Sequence, residues 1–527
     1  MESRRKRRNK LKLMDRKETI LLTDGYKLGH RNQYPKGTEY VYSNWTPRSA
    51  HWMNGAEEGA VVFGLQYLIK EYLMRQMNEN FFQRPKDEVV GEFKRRVDTF
   101  LGPQNNVGTD HIAALHDLGY LPVRIKSLPE GDVCPIRCPM LTVENTHPDF
   151  FWLTNYLETL FSATLWLPCT SATSARLAKK QLMMHAQRTG FAGEDTGFLC
   201  HDFSMRGMAG IEASILSGMG HLAAFHGSET IPAIRALEEY YNADAEKELI
   251  AGTVPATEHS VMCAGGKDTE LDTYRRLLTE VYPQGFLSIV SDTWDYWHVI
   301  TSIIPQLKQE IMARDGRLVI RPDSGDPVKI ICGWDEKDYD DEMSFQEIHE
   351  IPDCEKRGTY ELLWDMFGGT VNEAGYKVLD THVGLIYGDA ITLDRQKEIY
   401  RRLEAKGFAA TNIVLGFGSF TYQYKSRDSL GFAIKATWCQ INGKPYDIFK
   451  QPKTDSGTKN SLKGLIRVDC DEQGRYHATD GVSREEEQKG CLVTVFENGR
   501  LLKDWTLAEV RQNLDKSIEN SIKYGWK

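Results

Sequence analysis

Apolar runs that end directly in polar or glycine residues recur through the middle of the chain. In the clearest one, Leu318-Val319-Ile320 predicts a buried strand, and Arg321-Pro322-Asp323-Ser324-Gly325 follows without a spacer. Pro-Asp-Ser-Gly alone is equally typical of a turn. Six further runs, however, end in His, Asp, Ser, Glu or Gly: 198–200, 222–225, 253–256, 287–290, 383–387 and 413–415. Seven such places favour strands whose ends carry functional groups.

Amphipathic helices are predicted between these runs. Their apolar positions are Ile231, Ile234 and Leu237; Leu271, Tyr274, Leu278 and Val281; and Ile399 with Leu403, before Gly407. Apolar strands that alternate with helices imply a parallel sheet. In a (β/α) barrel the loops after the strands gather at one face, where functional residues lie. The segment 153–426 is therefore predicted to be a (β/α) barrel with its chemistry at the strand ends.

The two ends of the chain follow an antiparallel pattern. Strand-like runs flank Asn442-Gly443 and Asn498-Gly499, and Asn-Gly is the strongest short hairpin signal. A final helix is predicted to begin at Thr506, where Glu509 completes a capping box. Near the start, 40–45 alternates like a strand. The prediction is an α/β protein with an irregular barrel and a second, mainly antiparallel sheet domain built from 17–152 and 427–527.

Composition and charge limit the classes of function. The formal charge of −9 and the pI near 5.9 give no general reason to expect nucleic acid, so phosphate binding must come from local groups. Ten scattered cysteines without a Cys-x-x-Cys pair favour reduced packing residues over a metal site. Polar residues interrupt the apolar run 150–167, which favours a buried helix over a membrane span. We expect a soluble, cytoplasmic protein with a disordered basic arm at 1–16 and a solvated acidic insertion at 334–342.

The strand ends suit a phosphorylated sugar. Arginine meets phosphate through two parallel hydrogen bonds, and Arg206, Arg321 and Arg427 all lie near glycines. Glycines that follow strands expose backbone N–H groups to an anion, as at Gly388, Gly416 and Gly418. Carboxylates that suit ribose hydroxyls or Mg²⁺ are Asp292, Asp323 and Asp389. From spacing alone the reaction stays unnamed.

Longer motifs, in one order along the chain, carry a resemblance to a known family. They are Leu22-Thr23-Asp24-Gly25-Tyr26-Lys27, Thr142-Val143-Glu144-Asn145-Thr146, Trp152-Leu153-Thr154-Asn155, His201-Asp202-Phe203 with Arg206-Gly207, Glu258-His259-Ser260, Gly266-Lys267-Asp268, Val290-Ser291-Asp292 and Ile320-Arg321-Pro322-Asp323-Ser324-Gly325. From about Ile20 to near Gly525 the chain resembles the nicotinamide phosphoribosyltransferase branch of the type II phosphoribosyltransferases. Such enzymes join nicotinamide to phosphoribosyl pyrophosphate and release pyrophosphate, giving nicotinamide mononucleotide for NAD synthesis.

The resemblance implies roles for individual residues. It implies a homodimer with shared active sites, in which Phe203 lies against one face of the pyridine ring and Tyr26 of a second subunit against the other. The catalytic residues would be His259, Asp323 and Arg321. The other implied contacts are Arg206 with pyrophosphate, Asp389 with ribose, Gly388, Gly418 and Ser419 with the 5′-phosphate, Arg48, Arg427 and Lys435 with phosphate from across the dimer, and Ser288 and Asp292 with substrate. It further implies Mg²⁺ on the pyrophosphate and ATP as an optional substrate that phosphorylates His259.

Two positions depart from the family pattern. Glu229 stands where nicotinamide enzymes carry an aspartate that accepts the carboxamide N–H. A glutamate is one methylene longer but still accepts from an amide and repels nicotinate, so we expect the amide preference to persist. The loop Gly416-Phe417-Gly418-Ser419-Phe420 has fewer glycines than the family loop, which makes Ser419 a weaker candidate than Gly418 for phosphate binding.

Three other functions stay open on the residues alone. One is a nicotinate phosphoribosyltransferase on the same scaffold, which Glu229 disfavours. Another is a barrel glycoside hydrolase that uses Glu229 and Glu258 as paired acids, although the arginines would then have no role. The last is a non-catalytic protein that binds a nucleotide or another protein.

Overall fold

The computed structural model describes residues 18–190, 196–339, 345–388, 390–449 and 462–526, without the side chains of 345 and 347. The chain divides into two compact units. One, the antiparallel unit, comprises Met1–Thr170, Glu239–Asn242 and Ser426–Lys527; the other, the parallel unit, comprises Ser171–Glu238 and Ala243–Lys425. The predicted basic arm, Asp389 and the end of the acidic run (340–342) lie outside the described residues.

A seven-stranded sheet forms the antiparallel unit, and every paired neighbour in it is antiparallel. In spatial order its strands are Lys444–Asp447, Ala433–Ile441, Thr38–Thr46, Leu141–Asn145, Val123–Ser127, Val493–Glu497 and Arg500–Leu501. Two smaller antiparallel pairs join Ala60–Val61 to Val133–Cys134 and Leu465–Cys470 to Tyr476–Val482. N-terminal and C-terminal strands thus share one sheet, as the hairpin pattern indicated.

Both predicted Asn-Gly hairpins are present. Ile441 pairs with Lys444 and Glu497 with Arg500, which leaves two residues in each turn. The φ angles are 48° and 74° at Asn442 and Gly443, and 50° and 77° at Asn498 and Gly499. Positive φ at both positions matches the twist of the flanking strands, and asparagine and glycine adopt it at little cost.

The longer helices of the antiparallel unit include the one predicted at the C-terminus. Wholly or in part, the α- and π-helices of this unit are His30–Gln33, Leu65–Tyr67 continued by Leu68–Gln76, Asn78–Phe82, Lys86–Leu101, Asp110–Leu118, Leu153–Tyr156, Glu158–Arg188, Ile231–Tyr241, Arg484–Glu487 and Leu507–Tyr524. Its short 3₁₀ turns are Thr19–Leu21, Gly25–Gly29, Pro148–Phe150 and Arg427–Ser429. Thr506 caps the last helix: its Oγ1 accepts from the Glu509 N–H at 3.2 Å, and Glu509 accepts from the Thr506 N–H at 2.8 Å. This is the predicted capping box.

A buried glutamate ties the start of one helix to the rest of this unit. Glu130 is 1% exposed, and its carboxylate accepts from the N–H groups of Gly64 and Gln66 and from the Tyr241 hydroxyl at 2.6–3.0 Å. Complete burial raises the pKa of Glu130 to about 7, although these donors act in the opposite direction. The carboxyl group therefore satisfies backbone donors at the helix start while its charged form is costly.

Six parallel strands form the sheet of the parallel unit. In spatial order they are Gly227–Ser228, Cys200–Asp202, Ile413–Phe417, Val383–Tyr387, Asp315–Arg321 and Gln284–Val290. The segment 252–256 bridges both edges, because Gly252 pairs with Gly227 and Ala256 pairs with Ser288. The α/β class with a parallel and an antiparallel sheet is confirmed.

Two of the seven predicted strands differ from the structure. Residue 222 ends the helix Ile211–Leu222, 223–226 is a connection, and the strand is only Gly227–Ser228. A short apolar run is compatible with a buried helix end as well as with a strand. The run 253–256 makes isolated bridges and no strand, since Pro255 lacks the N–H that a ladder needs.

Helices lie between the parallel strands along the chain. Glu158–Arg188 and Ile231–Tyr241 belong partly to this unit. Its other α- and π-helices are Ile211–Leu222, His259–Cys263, Glu270–Arg276 continued by Leu277–Val281, Tyr296–His298 continued by Val299–Ile303, Ile304–Gln306, Lys308–Ala313, Pro327–Cys332, Phe345–Glu350, Asp353–Arg357, Thr359–Phe367, Leu393–Ala405 and Ser419–Tyr422. A small hairpin joins Gly369–Val371 to Lys377–Leu379. Nowhere in the described parts of the chain is a helix both long and apolar enough to span a membrane.

Candidate functional site

Phe203 lies at the carboxyl ends of three neighbouring strands of the parallel sheet. Its N–H donates to the Phe417 carbonyl at 2.9 Å, which continues the pairing of the two strands. A Cβ at Gly416 would lie 2.7 Å from Phe203 Cδ2 and 2.7 Å from Gly388 Cα. Only glycine at 416 thus leaves room for the aromatic ring beside the strand ends.

A carboxylate lies close to this ring and is held by two donors. His201 Nε2 is 3.1 Å from Glu229 Oε1, and the Thr253 hydroxyl donates to the same oxygen. The hydrogen bond from His201 holds the pKa of Glu229 below its ordinary value, and the Thr253 hydroxyl and the charge of Arg321 act in the same direction. The imidazole of His201 also lies 4.6 Å from the Phe203 ring, centroid to centroid. Glu229 is therefore an anion beside an aromatic surface.

The ends of two further strands hold a chain of charged groups. Arg321 Nη2 donates to the Thr257 carbonyl, at 2.5 Å, and its Nε lies 3.5 Å from Asp323 Oδ1. Asp292 accepts from the Asp323 N–H at 3.1 Å through Oδ2, and its Oδ1 is 3.1 Å from His259 Nε2. Arg321 and Asp292 are nearly buried, whereas half of the His259 side chain is exposed. These connected charged groups are thus accessible to a ligand at His259.

Glycines let the remaining strand-end groups approach one another. A Cβ at Gly388 would lie 2.8 Å from Asp323 Oδ1, and one at Gly207 would lie 2.1 Å from Ser419 Oγ. Gly388 is therefore beside Asp323, and Ser419 beside the turn that carries the exposed Arg206. No atom of the described residues lies within 4 Å of the Cβ position of Gly418, which leaves its backbone accessible to a ligand.

Two cavities in the parallel unit share Phe203 and Glu229. One, of about 440 Å³, is also lined by His201, Ser288 and Arg321. The other, of about 410 Å³, is also lined by Arg206. The first volume suits a small molecule. Ser288 is 4% exposed, and its Oγ has no hydrogen-bond partner among the described residues, so the first cavity holds a polar group still able to bond to a ligand.

The remaining predicted site residues belong to the antiparallel unit. Tyr26 is 63% exposed and lies edge-on to His30. Arg48 Nε donates to the Gly431 carbonyl at 2.6 Å, and burial followed by the nearby charge of Arg427 lowers the pKa of Arg48. Arg427 also pairs with Asp428 at 3.1 Å. Lys435 lies in the strand Ala433–Ile441, opposite Asn44. Arg48 and Arg427 thus form a local concentration of positive charge.

No role was predicted for the two side chains that hold Glu229. His201 was noted only as part of a motif, and Thr253 only as the start of an apolar run. No local sequence pattern reveals these contacts, because His201 and Thr253 lie 28 and 24 residues from Glu229 along the chain. Asp202 was likewise unassigned, yet it is fully buried and accepts from the hydroxyls of Ser228 and Thr230 at 3.0 and 2.7 Å.

The arrangement combines a flat apolar surface, a fixed anion and an arginine within one cavity. It can bind a planar ring that carries a hydrogen-bond donor and, beside it, an anionic group. Within the described residues no group of three or more His, Cys, Asp or Glu is arranged to hold a metal ion. Any Mg²⁺ here would need oxygens from the ligand, which is how proteins commonly bind that ion beside phosphates.

The fold is similar to that of a solved structure. That structure, of nicotinate-nucleotide pyrophosphorylase from Pyrococcus furiosus, superposes with a TM-score of 0.55 and covers 98% of this chain and 99% of its own. The two sequences are 14% identical, so the likeness concerns the fold.

Sequence comparison gives the family. Residues 198–500 match the Nicotinate phosphoribosyltransferase (NAPRTase) family, and residues 18–125 match the Nicotinamide phosphoribosyltransferase, N-terminal domain. The chain belongs to the nicotinate phosphoribosyltransferase family.

Two curated relatives carry a more specific name. A nicotinamide phosphoribosyltransferase of Acinetobacter baylyi is 49% identical over 511 residues, covering 94% of this chain and 97% of the relative. One of Mycoplasma pneumoniae is 34% identical over 459 residues, covering 84% and 94%. The resemblance inferred from the motifs is confirmed.

Proposed function

We propose that this protein transfers the phosphoribosyl group of phosphoribosyl pyrophosphate to nicotinamide, giving nicotinamide mononucleotide and pyrophosphate in NAD biosynthesis. The observation that carries the proposal is the cavity in which Phe203, the anionic Glu229 and Arg321 lie together at the ends of parallel strands. The names of the two relatives support it. Family membership favours phosphoribosyl transfer over the hydrolase and the non-catalytic alternatives.

Phe203 provides the surface for the pyridine ring in this proposal. Aromatic rings prefer offset stacking, and the space that Gly416 leaves keeps the Phe203 face in place. The carboxylate of Glu229 accepts the carboxamide N–H of nicotinamide and repels the carboxylate of nicotinate. Ser288, buried and with an unused hydroxyl, binds the same part of the substrate.

Cleavage of the bond from the anomeric carbon to pyrophosphate builds positive charge on the ribose and negative charge on the leaving group. Arg321, Arg206 and His259 stabilise the departing pyrophosphate, while Asp323 binds ribose hydroxyls. The nicotinamide nitrogen attacks from the stacked ring, so no covalent nucleophile on the protein is needed. Positioning and electrostatic stabilisation provide most of the rate enhancement.

The phosphate end of the substrate binds where the backbone is accessible. Gly388, Gly418 and Ser419 contact the 5′-phosphate, and Asp389 joins them at the ribose. Arg48, Arg427 and Lys435 supply positive charge from the second subunit of a homodimer, in which Tyr26 covers the other face of the nicotinamide ring. The exposure of Tyr26 and the closeness of Arg48 to Arg427 support this part of the proposal.

Mg²⁺ and ATP are the further components we propose. Mg²⁺ would neutralise pyrophosphate charge when bound, held by oxygens of the ligand together with the carboxylate of Asp292. ATP phosphorylates the His259 imidazole, which is half exposed and oriented by Asp292. We also propose that the six parallel strands and the bridging segment 252–256 form an irregular barrel. A cytoplasmic location stays a prediction.

A pyrophosphate-release assay tests the function. The purified protein is incubated with phosphoribosyl pyrophosphate, Mg²⁺ and either nicotinamide or nicotinate, and the nucleotide product is identified by chromatography. We expect nicotinamide mononucleotide and stoichiometric pyrophosphate. Equal turnover of nicotinate would contradict the proposed base, and the absence of pyrophosphate release with both bases would contradict the reaction.

A further inference from the structure

The carboxylate of Glu229 has two unequal oxygens. Oε1 lies 3.1 Å from His201 Nε2 and also accepts from the Thr253 hydroxyl. Oε2 accepts no hydrogen bond from the residues that the structure describes. A carboxylate oxygen has about two lone-pair sites, so these two donors occupy Oε1. The ligand therefore meets a carboxylate with one free acceptor atom.

The geometry also determines which nitrogen of His201 carries the proton and how freely its ring can turn. Because Glu229 is anionic, His201 must carry its proton on Nε2 to bond with it. On the other side of the ring, a Cβ at Gly227 would lie 2.6 Å from Nδ1, so the imidazole packs closely against that glycine. His201 is 7% exposed. A buried ring between a glycine and Phe203 has little freedom to turn, which makes it a rigid donor.

Without the hydrogen bonds from His201 and Thr253, Glu229 would have an alternative partner. The charge of Arg321 is close enough to lower the pKa of Glu229, yet no ion pair joins the two side chains in the described structure. A glutamate has one more rotatable bond than an aspartate and loses more entropy when it is ordered. Free to move, its carboxylate would be attracted towards the guanidinium and away from the base.

We propose that His201 and Thr253 are positioning residues that hold Oε1 of Glu229, so that Oε2 alone faces the base and selects a carboxamide over a carboxylate. This inference rests on the proposed function and adds what sets its substrate preference. One fixed acceptor matches one N–H of a carboxamide. Nicotinate, with an anionic carboxylate and no donor there, would face the negative charge of Glu229.

The hydrogen bonds from His201 and Thr253 to Glu229 Oε1 form a tether, and paired variants test its role. His201→Phe keeps a ring beside Phe203 without the N–H, and His201→Gln keeps a donor without the ring. Thr253→Val removes the hydroxyl at nearly constant shape, and Thr253→Ser retains it. We expect His201→Phe and Thr253→Val to raise the KM for nicotinamide on the order of 10-fold, with kcat within about twofold, since each removes a hydrogen bond to a charged group. The preference for nicotinamide over nicotinate should fall by a similar factor, and His201→Gln and Thr253→Ser should restore most of both.

The controls separate the inference from the proposed function. Wild-type turnover of nicotinamide tests the function, whereas the ratio of each variant to wild type tests the tether. Nicotinamide and nicotinate binding measured by calorimetry on all five proteins tests the tether even without turnover. An unchanged nicotinamide KM and unchanged preference in Thr253→Val and His201→Phe would overturn the inference. So would lowered melting temperatures together with equal losses for both bases. If His201→Phe does not fold, the two Thr253 variants and His201→Gln decide.

Discussion

Two glutamates, one in each unit, show how the same side chain serves opposite purposes. Glu229 in the parallel unit is part-exposed, and a hydrogen bond from His201 lowers its pKa. Glu130 in the antiparallel unit is fully buried, and desolvation raises its pKa to about 7 although three donors surround it. The donors of Glu130 are backbone N–H groups and a core tyrosine, so its task is to hold a helix start. Among the described residues, Glu229 keeps one oxygen without a donor, which suits it to bind a ligand.

Burial, more than the number of donors, separates a structural carboxylate such as Glu130 from one suited to binding such as Glu229. The parallel unit leaves its charged groups at strand ends, where half of His259 stays exposed. The antiparallel unit buries Glu130 almost completely. Substitutions at the strand ends of the parallel unit should therefore change kinetics, and substitutions in the interior of the antiparallel unit should change stability.

The largest effect is expected at Arg321. Arg321→Ala should lower kcat/KM on the order of 10²-fold or more, because charge-assisted contacts to the leaving pyrophosphate are lost. Steady-state kinetics with nicotinamide and phosphoribosyl pyrophosphate measure this. Arg276→Ala, which removes an exposed arginine of the same unit, should be close to wild type. Near wild-type turnover in Arg321→Ala would refute the assignment.

The pH dependence of stability should single out Glu130. Its pKa in the folded state, about 7, lies above the ordinary value of 4.5. The folded state therefore holds the proton more tightly, and this group's contribution to stability is full below about pH 4.5 and is lost as the pH rises through about 7. The loss amounts to roughly 3 kcal/mol by linkage.

Denaturant unfolding of wild type and Glu130→Gln from pH 4.5 to 8 isolates this contribution. Histidines and other groups titrate in both proteins, so the difference between the two curves is the quantity to follow. We expect the free energy of unfolding of wild type to fall relative to the variant across this range. Parallel curves would show that Glu130 does not titrate in this range. A changed base preference in the variant would show that Glu130 affects the site and is more than a structural carboxylate.

A smaller effect is expected at the other glutamate. Glu229→Gln should lower kcat/KM for nicotinamide on the order of 10-fold and raise the use of nicotinate, since a charged acceptor becomes a neutral amide. Kinetics with both bases measure the change, and the exposed Glu280→Gln provides the control in the same unit. Unaltered selectivity would remove Glu229 from the site.

The smallest effect is expected at the C-terminal helix. Thr506→Ala removes the cap of Leu507–Tyr524 and should cost about 1 kcal/mol of stability with unchanged kinetics. Thr506→Ser retains the hydroxyl and should behave like wild type. Denaturant unfolding of the three proteins at one pH gives the comparison; a loss of activity in Thr506→Ala would mean that the antiparallel unit affects the chemistry.

Much of the fold was predictable because its signals are local. The two Asn-Gly turns need positive φ at adjacent residues, and the Thr506 cap needs a glutamate three residues on. The strand ends at Arg321 and at Asp292 were visible as apolar runs that stop at polar groups. The hairpin between Leu465–Cys470 and Tyr476–Val482 was missed, since no Asn-Gly marks its turn.

The strands around Leu318 and Val383, the turns, the caps and the family motifs could be predicted from the sequence, because each depends on residues adjacent along the chain. The tertiary structure was needed to show that 252–256 bridges two strand edges and that His201 and Thr253 converge on one oxygen of Glu229. It also decided which glutamate is buried. Hydrogen bonds and desolvation depend on distances across the sheet, and those distances are set by the packing of the whole unit.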